Sequence, residues 1–130
     1  SKNAYGVSVG GTYVEISINQ QHMWYYKNGK LVVETDVVTG NYGTNDTPKG
    51  AYSIIYKASP ATLMLNSHVT FWLPFTSDGC GIHDASWRAS WEYGGTRYKG
   101  HGSHGCVNTP YNAAKKIYNN ISSGTRVVVY

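Results

Sequence analysis

The chain has 130 residues, a hydrophobic share of 41% and a formal net charge of +4. One domain over residues 1–130 fits that length, and the apolar content is too high for a disordered chain. The Lys and Arg residues form no run or stripe, which argues against a nucleic-acid partner, and no stretch is long and apolar enough to span a bilayer. A mild positive balance suits an anionic surface such as a cell wall or membrane.

The first half reads as strands. In TYVEISINQ, Val14, Ile16 and Ile18 alternate with Tyr13, Glu15, Ser17 and Asn19. The run from Gln21 to Gly40 predicts a hairpin, because Asn28-Gly29 tolerates the positive φ angles of a tight I′ turn. GAYSIIYKA and VTFWLPF follow as strands, and Pro74 implies that the second lies at a sheet edge or ends there. GCGIHDA is a short Gly-flanked strand that lets another backbone approach closely. Residues 85–102 have no clean period and carry Trp87, Trp91, Tyr93 and Tyr98, as expected of a functional loop or flap.

One helix is predicted near the C-terminus. Thr109 serves as its cap and Pro110 as its first residue, with Ala114, Ile117, Tyr118 and Ile121 forming an apolar stripe. SSG stops it and TRVVVY closes the chain as a strand. The fold class is therefore mainly β: a sandwich or partly open barrel of mixed strands with one C-terminal helix.

The chemistry concentrates in HGSHGCVNTP, residues 101–110. A thiolate is the reactive form of cysteine, and a nearby helix start or imidazolium favours it. Gly105 permits a tight turn, so the backbone N–H groups of His104, Gly105 and Cys106 can face an oxyanion. A thiol nucleophile also needs a base, and His83 from GIHDA can arrive in space with Asp84 fixing its tautomer. Other readings stand beside this one. Cys106 can be a structural thiol or pair with Cys80, which reads as a small buried hydrophobe. His83, His101, His104 and Cys106 could instead ligate zinc. The richness in Tyr and Trp would also fit a non-catalytic sugar-binding module. His22 and His68 read as ordinary strand histidines.

SHGCVNTP with the upstream GIHDASW resembles the signature of the L,D-transpeptidases, the YkuD family: a His, a gap, then Ser/Thr-His-Gly-Cys-hydrophobic-Asn. His83, Ser103, His104, Gly105, Cys106, Val107 and Asn108 fill every position. Residues 16–32 and 47–54 also resemble the family's early strands. The stretch between His83 and Ser103 is longer than the family commonly shows, which bears on the shape of the flap.

The resemblance implies a mainly β catalytic domain with Cys106 as nucleophile. His83 would be the general base, held by the carbonyl or carboxylate of Asp84. His104 would shape the site and donate its N–H, Gly105 would complete the oxyanion hole, and Ser103 would order the histidines or bind substrate. Trp87 would lie on a flap over the substrate groove, with Asn108 and Tyr98 as further substrate contacts. The implied partners are donor and acceptor peptidoglycan stem peptides, with carbapenem β-lactams as covalent inhibitors and no metal or other cofactor. Cleavage before a terminal D-Ala gives a cysteine thioester, and a neighbouring stem's amine resolves it into a 3→3 cross-link. Water as acceptor would make the same site an L,D-carboxypeptidase. The expected location is extracytoplasmic, in the wall or anchored on the outer face, with a targeting, anchoring or wall-binding segment upstream of Ser1.

Overall fold

The computed structural model describes residues 11–63 and 68–130. A five-stranded sheet is built from β1 (Tyr13–Ser17), β2 (His22–Lys27), β3 (Lys30–Asp36), β4 (Gly50–Ser53) and β10 (Arg126–Val129), in the order β3-β2-β1-β10-β4. A three-stranded sheet follows the order β7 (Trp72–Pro74), β8 (Gly81–Asp84), β9 (Val107–Thr109). The two-residue strands β5 (Ala61–Thr62) and β6 (His68–Val69) pair with each other. A single turn, α1 (Tyr98–His101), lies in the loop after β8, and α2 (Tyr111–Asn120) follows β9. No helix among the described residues is long and apolar enough to cross a membrane.

The mainly β fold read from the sequence is the one observed. Asn28 and Gly29 take φ of 53° and 80°, and the β2–β3 hairpin turns there. β10 is an interior strand, parallel to β1 and antiparallel to β4. Pro74 lies on β7, an edge strand, where its missing N–H costs no ladder bond.

The core draws on both larger sheets. Val14, Ile16, Met23, Tyr25, Val127 and Val129 come from the large sheet; Leu73, Ile82 and Val107 come from the small one. Ile117 of α2 and Ile121 just beyond it join them, and α2 packs against both β3 and β8. The buried Tyr25 hydroxyl donates to the Asn120 carbonyl at 3.0 Å, tying the sheet to the helix end. The helix start differs from expectation. Thr109 ends β9 and turns its hydroxyl to the Val107 carbonyl, while Pro110 occupies the cap position without a side-chain bond. The β9 ladder holds Thr109, so the first helical residue is Tyr111.

Two close approaches position the site. A Cβ at Gly81 would stand 2.7 Å from the Leu73 carbonyl oxygen, so β7 and β8 can pair this tightly only with glycine there. Gly105 has φ of +122°, and a Cβ there would lie 3.2 Å from Cys80 Sγ.

Candidate active site

Strand geometry gathers the chemistry on one face. β7, β8 and β9 pair Trp72 with His83 and His83 with Asn108. Residues directly opposite each other share a face, and alternate residues along a strand share one too. Trp72, His83 and Asn108 therefore form a row, and Cys106, two before Asn108 and just ahead of β9, stands at its end. All four line one cavity of about 540 Å³, together with Tyr56, Cys80, Trp87, Arg88 and His104. Ile82 and Val107 point the other way, fully buried in the core.

His83 is buried with its ring between Trp72 and Trp87, at centroid distances of 5.9 and 5.8 Å. Its Nδ1 lies 2.7 Å from the Asp84 carbonyl oxygen. A carbonyl can only accept, so Nδ1 carries the proton and Nε2 keeps its lone pair. Burial holds the imidazole below its ordinary pKa, against the Asp84 carbonyl and carboxylate, and the Arg88 charge adds to the lowering. At neutral pH the ring is an uncharged base.

Burial likewise pushes the Cys106 thiol up to about 11, although a hydrogen bond from the Gly81 backbone opposes the rise. The thiol donates to the Gly79 carbonyl at 3.5 Å rather than to the His83 ring. The resting pair is thus a neutral thiol and a neutral imidazole on one wall, and a proton can pass between them only if the thiol rotates from Gly79 toward the ring.

The loop carrying Cys106 is braced from outside. Val38 and Asn108 exchange both backbone bonds, at 3.0 and 2.8 Å. Ser103 N–H donates to Thr39 at 2.9 Å, and Asn41 N–H donates to Ser103 at 2.8 Å. The buried Thr47 hydroxyl donates to the Gly105 carbonyl at 2.7 Å and accepts from Gly40 N–H at 2.9 Å. The backbone N–H groups of His104 and Cys106 make no hydrogen bond with another described residue.

The family model of the YkuD L,D-transpeptidase catalytic domain matches residues 11–129. The chain belongs to this family. Among solved structures, a Cys-to-Ser mutant of Enterococcus faecium L,D-transpeptidase is 41% identical, with a TM-score of 0.88 over 94% of this chain and 50% of that one. The catalytic domain of E. faecium L,D-transpeptidase acylated by ertapenem is 39% identical, with a TM-score of 0.80 over 95% of this chain and all of that domain. L,D-transpeptidase 3 from Mycobacterium tuberculosis shares the fold, with a TM-score of 0.77 at 19% identity over 92% of this chain and 61% of that one. This chain spans about half the length of the longer enterococcal chain. No curated protein sequence matches it at a significant level.

Within this YkuD domain, several predicted site residues have specific jobs. The Asp84 carboxylate accepts from the backbone N–H groups of Thr70 and Phe71 at 2.9 and 2.8 Å. Adjacent strand residues point to opposite faces, so only its carbonyl hydrogen-bonds His83, and the carboxylate acts on the ring through its charge alone. Ser103 closes the Cys106 loop: its hydroxyl donates to the Cys106 carbonyl and accepts from Gly105 N–H. That bond occupies the Gly105 N–H expected at the oxyanion. His104 is exposed on the cavity rim, and Trp87 is half-exposed over His83.

Asn108 is buried, and with its carboxamide oxygen facing Arg88 it accepts from Nε at 2.8 Å and Nη2 at 3.2 Å. Tyr98, read as a substrate contact, is instead buried in the core with Tyr42 edge-on at 6.1 Å, and it does not line this cavity. The thiolate-favouring helix start expected beside Cys106 is displaced by β9. Cys80 and Cys106 are both free thiols. Cys80 is half-buried on the same cavity wall, because it precedes β8 and its N–H is held by the Thr76 hydroxyl in the preceding turn. No group of three or more His, Cys, Asp or Glu residues with metal-binding geometry occurs among the described residues, and His101 lines a separate cleft.

Sequence reasoning missed Trp72 and Arg88. Trp72 had a signal, since it lies on the strand preceding GIHDA. Arg88 had none: its place follows from contacts made across the flap.

Proposed function

We propose that this domain is a peptidoglycan L,D-transpeptidase working through a Cys106 thioester. His83 Nε2 takes the thiol proton as sulfur attacks the carbonyl of the donor stem's third residue. The N–H groups of His104 and Cys106 stabilise the oxyanion, His83 returns the proton to the leaving nitrogen, and D-Ala departs. The amine of a neighbouring stem then attacks the thioester. His83 accepts that amine's proton and gives it to the departing sulfur, which leaves a 3→3 cross-link and the free thiol. Water in place of the amine would give an L,D-carboxypeptidase reaction with the same residues. Imidazole and backbone N–H groups supply the proton transfer and polarisation these steps need.

The observation that carries this reading is the shared wall of Cys106 and His83 in a YkuD-family domain, with Nδ1 fixed by the Asp84 carbonyl. The acylated enterococcal domain supports carbapenems as covalent inhibitors. Peptidoglycan as substrate places the domain outside the cytoplasmic membrane, and the positive net charge suits an anionic wall. The test is intact mass after exposure to a carbapenem. Wild type gains one drug mass and Cys106→Ala gains none; an unmodified wild type would overturn the reading. Incubation with a tetrapeptide stem, with and without an acceptor amine, then separates transfer from hydrolysis.

A further inference from the structure

Among the described residues Arg88 has no ion-pair partner, and it stands on the wall of the candidate site. It is half-buried and lines the same cavity as Cys106 and His83. Two neutral oxygens hold it: Nη2 donates to the His101 carbonyl at 2.8 Å, and the Asn108 carboxamide accepts from Nε and Nη2. A guanidinium has five N–H donors, so these contacts leave both protons of Nη1 without a partner among the described residues. Glu92 is the acidic side chain whose charge reaches Arg88, but it forms no ion pair with it and caps the Ala89 N–H at 2.9 Å. Arg97 adds a like charge nearby. A cation held by neutral acceptors at a cavity wall is poised for an anion that arrives from outside.

We propose that Arg88 binds the terminal carboxylate of the donor stem, the carboxylate of the D-Ala that leaves. The inference rests on the peptidoglycan reading above. In the leaving residue, one carbon separates the carboxylate from the nitrogen that His83 must protonate. Whatever binds that carboxylate must therefore stand beside His83. Arg88 does: its anchor Asn108 is the register partner of His83, and its charge is felt at the His83 ring. The flap residue before it, Trp87, lies against the same ring. Planar bidentate recognition of a carboxylate is what a guanidinium offers and an ammonium does not. The clamp would orient the scissile bond with the leaving nitrogen toward Nε2 and the carbonyl toward Cys106.

The test compares two donors that differ only at the end: a tetrapeptide stem with a free C-terminal carboxylate, and the same peptide as its D-alaninamide. Release of D-Ala or D-alaninamide is followed by mass spectrometry, and kcat/KM is taken for each. Wild type favours the free acid by roughly ten- to hundredfold, the range of a hydrogen bond to a charged group. Arg88→Ala reduces that preference to within about threefold, and Arg88→Lys restores part of it. Equal use of acid and amide by wild type overturns the clamp and leaves the transpeptidase reading intact, and this arm needs no variant to fold. A parallel fall on both donors in Arg88→Ala, with the preference retained, would make Arg88 only a brace for the flap and also overturn it. Release from neither donor by wild type overturns the peptidoglycan reading and this inference together.

Discussion

The two larger sheets are built to different ends. The five-stranded sheet has strands of four to seven residues, and its interior is closed by apolar side chains whose few polar partners are satisfied internally. Gln21 shows the standard: fully buried, it donates to the Ile18 carbonyl and the Thr39 hydroxyl, each at 2.8 Å, and accepts from Thr39 N–H at 3.0 Å. The three-stranded sheet has strands of three or four residues and keeps one face open as a cavity. On that face a buried imidazole and a half-buried thiol sit away from their ordinary pKa values. Both sheets feed the core, but only the second holds shifted ionisable groups on an open face, as expected where a packed layer supports reactive groups.

Substitutions on the two sheets should therefore fail in different ways. The largest expected effect is in the small sheet. His83→Gln keeps most of the side chain's bulk but removes the base, and acylation of Cys106 by a carbapenem near neutral pH should slow by roughly 10²–10⁴-fold. The pH profile identifies the cause. In wild type the base is lost as His83 protonates, and burial lowers its pKa, so the acid limb should fall below about 6.5, the ordinary imidazole value. Without the base the rate must follow the thiolate. It should climb about tenfold per pH unit towards the Cys106 pKa of about 11. A His83→Gln profile that kept the wild-type plateau would mean that some other group accepts the proton.

Next in size is a change to the large sheet. Ile16 is fully buried, opposite Met23 on one side and Val129 on the other. Ile16→Ala should cost about 2–5 kcal/mol of unfolding free energy in urea melts. The fraction that stays folded should acylate at close to the wild-type rate. A large loss of rate per folded molecule would show that the two sheets are more tightly coupled than their packing suggests.

The same division explains what the sequence could reveal. Alternation around Val14 and Ile16, the Asn28-Gly29 turn and the stripe from Ala114 to Ile121 are local patterns with a fixed period, and each corresponds to an element of the fold. Cys106 and His83 were legible as a motif, and Gly81 as a point of close backbone approach. The missing information was non-local. Thr109 had the composition of a helix cap, but pairing with Asp84 in the β8–β9 ladder outweighed that preference. Tyr98 and Trp87 belong to the same loop and look alike in sequence; contacts with the core bury one, and His83 holds the other at the cavity. Arg88 acquires its meaning only when the flap carries it to Asn108, twenty positions away.

The smallest expected effect falls on Asp84, where the two kinds of role meet in one residue. Its carbonyl orients the His83 ring, while its carboxylate ties β8 to the chain before β7 through Thr70 and Phe71. Asp84→Asn leaves the carbonyl untouched, and one amide oxygen can still accept where Oδ1 accepts both N–H groups. The loss is the charge assistance to those two bonds and the longer Thr70 N–H contact to Oδ2 at 3.2 Å, which an NH2 cannot accept, together about 1–2 kcal/mol of stability. The backbone acceptor survives, so Nδ1 stays protonated and Nε2 stays basic, and acylation should slow far less than in His83→Gln. Urea melts and carbapenem acylation rates on the same two variants decide between the carboxylate's possible roles. If Asp84→Asn lost acylation as deeply as His83→Gln while melting like wild type, the reaction would depend on the carboxylate's charge at the imidazole. If the melt moves and the rate holds, the carboxylate belongs to the scaffold and only the peptide carbonyl to the chemistry, which is the division that the strand pleat imposes on two neighbouring side chains.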